Sequence, residues 1–206
     1  MSIFLFSKGY GQGNFNSNAA SGGNWNVNTS WTLTGGTDGD GVPDANDNVT
    51  ILNGHTISIT DARSANTITV NSGGTLTMST GGSLTITTSM AVNGGGTYVH
   101  NQDGGTIPTA TWAATSNLNI TGVNGTIPGG LGQTFGNLTY NSPSQSVPLL
   151  FAPTGIAGNF TITSTNNQQL RNAATYTIGG NFIINGANAY FTITNTVVRT
   201  IGVSGS

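Results

Sequence analysis

The pentapeptide Gly136-Asn137-Leu138-Thr139-Tyr140 returns as Gly158-Asn159-Phe160-Thr161-Ile162 and again as Gly180-Asn181-Phe182-Ile183-Ile184, 22 residues further on each time. Ser116-Asn117-Leu118-Asn119-Ile120 carries the same pattern 20 residues before the first copy. In the first half, Val70-Asn71-Ser72-Gly73-Gly74-Thr75-Leu76 recurs as Val92-Asn93-Gly94-Gly95-Gly96-Thr97-Tyr98. A fixed step of this size marks a chain that buries its core by stacking copies of one unit. One position can be followed through Ile57, Leu76, Tyr98, Leu118, Leu138, Phe160 and Phe182, and it is always large and apolar.

The spacing accommodates three short strands and three corners, roughly 20–25 residues. Each coil then pairs with the next at about 4.8 Å, so like residues stack on like. The expectation is an all-β chain, a right-handed parallel β-helix (solenoid) of about 20–22 residues per coil and roughly seven to eight coils. Runs such as Val49-Thr50-Ile51-Leu52, Thr56-Ile57-Ser58-Ile59-Thr60, Thr67-Ile68-Thr69-Val70 and Leu84-Thr85-Ile86-Thr87 alternate polar and apolar residues, as strands do. Asn53-Gly54, Asn93-Gly94, Asn124-Gly125 and Asn185-Gly186 suit the corners. No helical period is sustained, and Thr and Asn are poor helix formers.

Composition narrows the function. Thr, Gly, Asn and Ser make up over half of the 206 residues, and 5% are charged. The cations Lys8, Arg63, Arg171 and Arg199 are too few and too scattered to track a phosphate backbone. The chain has no Cys, which removes disulfides, thiolate zinc sites and cysteine nucleophiles. No run approaches the length of a membrane span.

The organisation reads as four parts. Residues 1–12, with Ile3-Phe4-Leu5-Phe6, resemble the tail of a signal peptide. Residues 13–22 read as a small-residue linker, 23–48 as an N-terminal cap with an acidic loop, and 49–206 as the β-solenoid. Trp25 and Trp31 are expected to cover the first coil.

The acidic loop runs Asp38-Gly39-Asp40-Gly41-Val42-Pro43-Asp44-Ala45-Asn46-Asp47-Asn48 and holds four of the six carboxylates. Two readings fit it. Asp38, Asp40, Asp44 and Asp47 are candidate calcium ligands, because Ca²⁺ takes several such oxygens on a flexible loop. Alternatively it is a solvated turn in which Asp47 satisfies backbone donors. The spacing resembles a single loop of a thrombospondin type 3 repeat and lacks the closing Glu of an EF-hand.

Asn117, Asn137, Asn159 and Asn181 form a column beside the apolar ladder, where stacked amides can bond along the axis. Asn119, Asn137 and Asn159 each begin an N-x-Thr sequence; two of the three, Asn137 and Asn159, stand in that column, so stacking explains their recurrence better than glycosylation. The remaining candidates for catalysis are His55, His100, Asp61, Arg63, Asp103, Arg171 and Arg199. The best of these would be His55 and His100 side by side, two coils apart. Catalysis by paired carboxylates or a positioned base has little to draw on, so a non-enzyme is expected. Threonine pairs at 67/69, 75/77, 85/87, 161/163 and 192/194 do not share one register and are expected on different faces.

Trp25 to Trp31, Pro43-Asp44-Ala45-Asn46-Asp47-Asn48-Val49-Thr50-Ile51, Asn53-Gly54-His55-Thr56-Ile57 and the later Gly-Asn-Phe/Leu coils resemble large secreted β-helix proteins of Bacteroidota. That resemblance implies export, often by the type IX route, and surface or adhesive roles. The expected function is a non-catalytic, secreted structural or adhesive module at the cell surface or outside it. It would contact glycans, or itself end to end, or continue into further coils of a longer chain. The alternatives are a polysaccharide-active β-helix and an ice- or crystal-surface-binding solenoid.

Overall fold

The computed structural model describes residues 11–20, 22–193 and 201–203. Most of the expected leader, residues 1–10, lies outside the described residues. The chain is a stack of parallel coils, about seven turns in all. The first turn holds β1 (Gly13–Ser17), β2 (Gly23–Asn24) and β3 (Trp31–Gly36), with one 3-10 turn at Asn28–Ser30. Then come β4 (Asn48–Ile51), β5 (Thr56–Ile59), β6 (Ala62–Val70), β7 (Thr75–Ser79), β8 (Ser83–Val92), β9 (Thr97–Asn101) and β10 (Thr111–Trp112). The middle coils carry β11 (Asn117–Ile120), β12 (Thr134–Phe135), β13 (Asn137–Asn141), β14 (Leu149–Phe151) and β15 (Gly155–Ile156). The last contain β16 (Phe160–Ser164), β17 (Gln169–Asn172), β18 (Tyr176–Ile178), β19 (Phe182–Ile184), β20 (Tyr190–Ile193) and β21 (Ile201–Val203).

One eight-stranded sheet runs the length of the molecule in the order β19-β16-β13-β11-β9-β7-β5-β2. Its register pairs Ile57 with Leu76, Leu76 with Tyr98, Tyr98 with Leu118, Leu118 with Leu138, Leu138 with Phe160 and Phe160 with Phe182. The apolar ladder is therefore continuous, and all but its last rung are fully buried. Two residues along, Ile59, Met78, His100, Ile120, Tyr140 and Ile162 make a second buried column. Phe160 stacks on Phe151 at 5.3 Å and on Phe182 at 5.2 Å between ring centres.

One corner repeats over the first coils. Gly54, Gly73 and Gly95 all adopt left-handed φ near +75°, a conformation that L side chains resist. Each bonds the next along the axis, Gly54 N–H to the Gly73 carbonyl and Gly73 N–H to the Gly95 carbonyl.

One expectation is corrected and another is extended. Residues 13–22 are not a plain linker, because β1 lies between β3, antiparallel to it, and β4, parallel to it. Phe15 is the cause: its inward ring packs edge-on against Trp31. The runs at 67–70 and 84–87 are also parts of longer strands. β6 and β8 pair along their length, with a register shift between Ala65 and Thr67.

Candidate functional site

The acidic loop is held by its own carboxylates. Asp38 accepts the N–H groups of Asp40 and Gly41, Asp40 accepts that of Val42, and Asp44 that of Asn46. Asp47 is buried; its Oδ1 accepts Gly13 N–H at 2.6 Å and its Oδ2 accepts Asp44 N–H at 2.8 Å. It thereby ties the loop to β1. Burial pushes the Asp47 carboxyl above its usual range; its backbone hydrogen bonds pull it down, and nearby Asp44 and Asp38 push it up again. One oxygen each from Asp38, Asp44 and Asp47 lies within 4.8 Å of the others. Asp40 stands outside that trio. The four sequence candidates thus divide into three that converge and one that caps a turn.

The loop is braced by tryptophan. Trp25 is fully buried, donates its Nε1–H to the Pro43 carbonyl, and meets Trp31 edge-on at 5.1 Å. Trp31 in turn donates to the Trp25 carbonyl at 2.7 Å.

The two histidines do not sit side by side. His100 occupies the buried column above Met78, whereas His55 lies at a corner before β5. The Nε2 of His100 is 2.7 Å from the Gly104 carbonyl, and its Nδ1 has no partner. Burial lowers its affinity for a proton, although the contact to Gly104 works the other way. His55 instead meets Ser17: Nδ1 accepts Ala19 N–H at 3.3 Å and lies 3.0 Å from Ser17 Oγ, which accepts Leu52 N–H. This Ser–His contact was not legible in the sequence, because Ser17 lies in the stretch that reads as a linker. Buried on the serine side, it staples the first turn to the second.

Asp61 and Arg63 form a two-point ion pair on the surface. Asp103 accepts three N–H groups of the next coil, from Asn124, Gly125 and Thr126. Arg171 donates to Gln169 Oε1 at 2.8 Å. These charged groups lie on separate coils. Arg199 lies outside the described residues.

The asparagine column is real but is only partly an amide ladder. Asn137 Nδ2 donates to Asn117 Oδ1 at 3.2 Å. Further up, Asn137 Oδ1 accepts the backbone N–H of Asn159, and Asn159 Oδ1 that of Asn181. The side chains cap the next coil's backbone. Beside this column, Ser58, Thr77, Val99, Asn119, Thr139, Thr161 and Ile183 line up on the outer face. The threonine pairs divide between two sheets: 67/69 and 85/87 lie on β6 and β8 of one, while 75/77 on β7 and 161/163 on β16 share the other, with Thr77 and Thr161 in this same column; Thr194 lies outside the described residues.

The last coil is different in character. Ile184, Tyr190, Ile193 and Val203 are each about half exposed, and β19, β20 and β21 are the outermost strands of their sheets.

These features define a parallel β-solenoid with an acidic loop at one end and an apolar coil at the other. A family model described as the G8 domain matches residues 33–121, somewhat under half of the chain, from β3 through β11. In that span the chain is similar to the family. No curated protein and no solved structure matches the chain. Among the described residues no helix is long and apolar enough to cross a membrane.

Proposed function

We propose that this chain is a non-catalytic structural or adhesive module, secreted and acting at a cell surface or outside it. The observation that carries this reading is the contrast between its faces and its last coil. The long outer columns are uncharged and mostly hydroxyls and amides, suited to weak repeated contacts with glycans. The last coil ends in half-exposed Ile184, Tyr190 and Ile193 on strands that are, among the described residues, outermost in their sheets. Such edges template further strands, which supports self-association. The likeness to secreted β-helix proteins of Bacteroidota supports export, including by the type IX route.

The acidic loop is read as a calcium clip. Asp38, Asp44 and Asp47 would supply its oxygens, and the support is their convergence; Asp47 is raised chiefly by burial, with a smaller repulsion from Asp44 and Asp38. A divalent cation would relieve that repulsion.

Sedimentation velocity tests the adhesive reading. The chain is expected to associate as concentration rises, and the double variant Ile184→Lys/Ile193→Lys to remain monomeric. Equal behaviour of the two proteins, either way, would remove the last coil as the adhesive surface.

A further inference from the structure

One face of the solenoid is interrupted. The first halves of β6 and β8 pair with each other, Ala62 with Ser83 through Ala65 with Ile86. The next turn does not continue this pairing. β10 meets β8 only at Ala91 and Val92. Among the described residues, no backbone hydrogen bond reaches Ser83–Ser89 from the following coil. That coil passes opposite and bonds away from β8: Ile107 donates to the Gly129 carbonyl, and Thr106 bridges to Gly129. Pro108 has no N–H to offer. An open cleft of about 510 Å³ lies between the two walls.

The chemistry of the cleft is specific. Leu84 and Ile86 project into it half-buried, with Met90 beside them and Pro108 and Ala110 opposite. Thr and Ser make up the rest of the lining. No charged or aromatic residue lines it. Thr85, Thr87 and Ser89, which alternate with the apolar residues, are exposed.

We propose that this cleft accepts one extended polypeptide strand, uncharged and apolar at alternate positions, which adds to the free edge of β8. The unpaired edge presents N–H and C=O groups at strand spacing, and a polypeptide in extended form answers them in kind. The site lies in line with β10, so an added strand continues the pairing that β10 makes at Ala91 and Val92. The uncharged lining would leave a charged side chain desolvated without a partner. A sugar chain would find no aromatic face to stack on. The strand's apolar side chains stack over Leu84 and Ile86 as each coil stacks on the last. This proposal is independent of the terminal coil.

The probe is a synthetic peptide with the sequence of Ser83–Val92, chosen because like stacks on like in this fold. Fluorescence anisotropy with the full chain measures binding, and amide hydrogen exchange locates it. Saturable binding is expected, with slowed exchange at Ser83–Ser89. A peptide N-methylated at alternate residues, which loses donors but keeps its side chains, should bind about tenfold or more weakly. Thr109→Trp, at an exposed position on the opposite wall, should block binding while leaving the thermal melt unchanged. Unchanged exchange at Ser83–Ser89 under saturating peptide would overturn the proposal. So would equal binding of the N-methylated peptide, or stronger protection of these amides by cellohexaose than by the peptide. Because exchange is read on the unmodified chain, failure of Thr109→Trp to fold would not rescue the proposal.

Discussion

Asn159 donates its backbone N–H to the side-chain oxygen of Asn137, one coil earlier, at 2.9 Å. That oxygen occupies the space where a β-carbon on Gly158 would stand. The recurrence of Gly before Asn then has a steric cause: each Asn reaches over the next coil, and only glycine leaves room. Asn159 and Gly180 repeat the relation.

Gly158→Ala is accordingly expected to destabilise the fold by about 1–3 kcal/mol through overpacking. In an Asn137→Ala background the added cost of Gly158→Ala should shrink, with a coupling of about 0.5 kcal/mol or more. Chemical denaturation of the four proteins of this cycle reads the coupling. Strict additivity would mean that the glycine answers to the Ala114 carbonyl, its other near neighbour, and not to the asparagine.

Phe160 touches aromatic rings from the coils on either side. Phe160→Ala should cost about 3–5 kcal/mol. Thr161→Ala, one residue away on the outer face, should stay within about 0.5 kcal/mol. Thermal melts of the two variants test the inward and outward assignment, and similar losses would contradict it.

The ladder from Ile57 to Phe182 was legible because one physical rule governs it. Coils stack at a fixed spacing, so the side chain above a large apolar residue is again large and apolar. The same rule made the Asn column visible but not its bonding, since amide–amide and amide–backbone bonds both satisfy the same stacking. β1 escaped because Gly13-Asn14-Phe15-Asn16-Ser17 has one large apolar residue, and its strand character comes from partners on both sides. The acidic loop announced itself by charge. That Asp40 turns away to Val42 while Asp47 is buried against Gly13 rests on the path of the chain, which composition does not encode.

His100 predicts a pH dependence. Its folded-state pKa is lowered by burial, so folding favours the neutral ring. The stability this represents is complete above the unfolded value near 6.5 and is lost as pH falls from there towards the lowered folded value. The melting temperature of the wild type minus that of His100→Met should therefore fall between about pH 7.5 and pH 5. A difference that stays constant would mean that the ring is reached by water.

Calcium at millimolar concentration should raise the melting temperature by mass action. Asp44→Asn should abolish that gain, whereas Asp40→Asn, outside the converging trio, should retain most of it. A flat calorimetric titration would leave the loop as a turn held by its own carboxylates.

The most direct test of the whole account is amide hydrogen exchange, followed residue by residue at low and high protein concentration. Stacked coils with one sticky end predict the strongest protection in the central strands, Asn117–Ile120, Asn137–Asn141 and Phe160–Ser164, at both concentrations. They predict that raising the concentration adds protection at Phe182–Ile184 and Tyr190–Ile193. Added protection confined to other strands, or none at any concentration, would contradict assembly through the last coil.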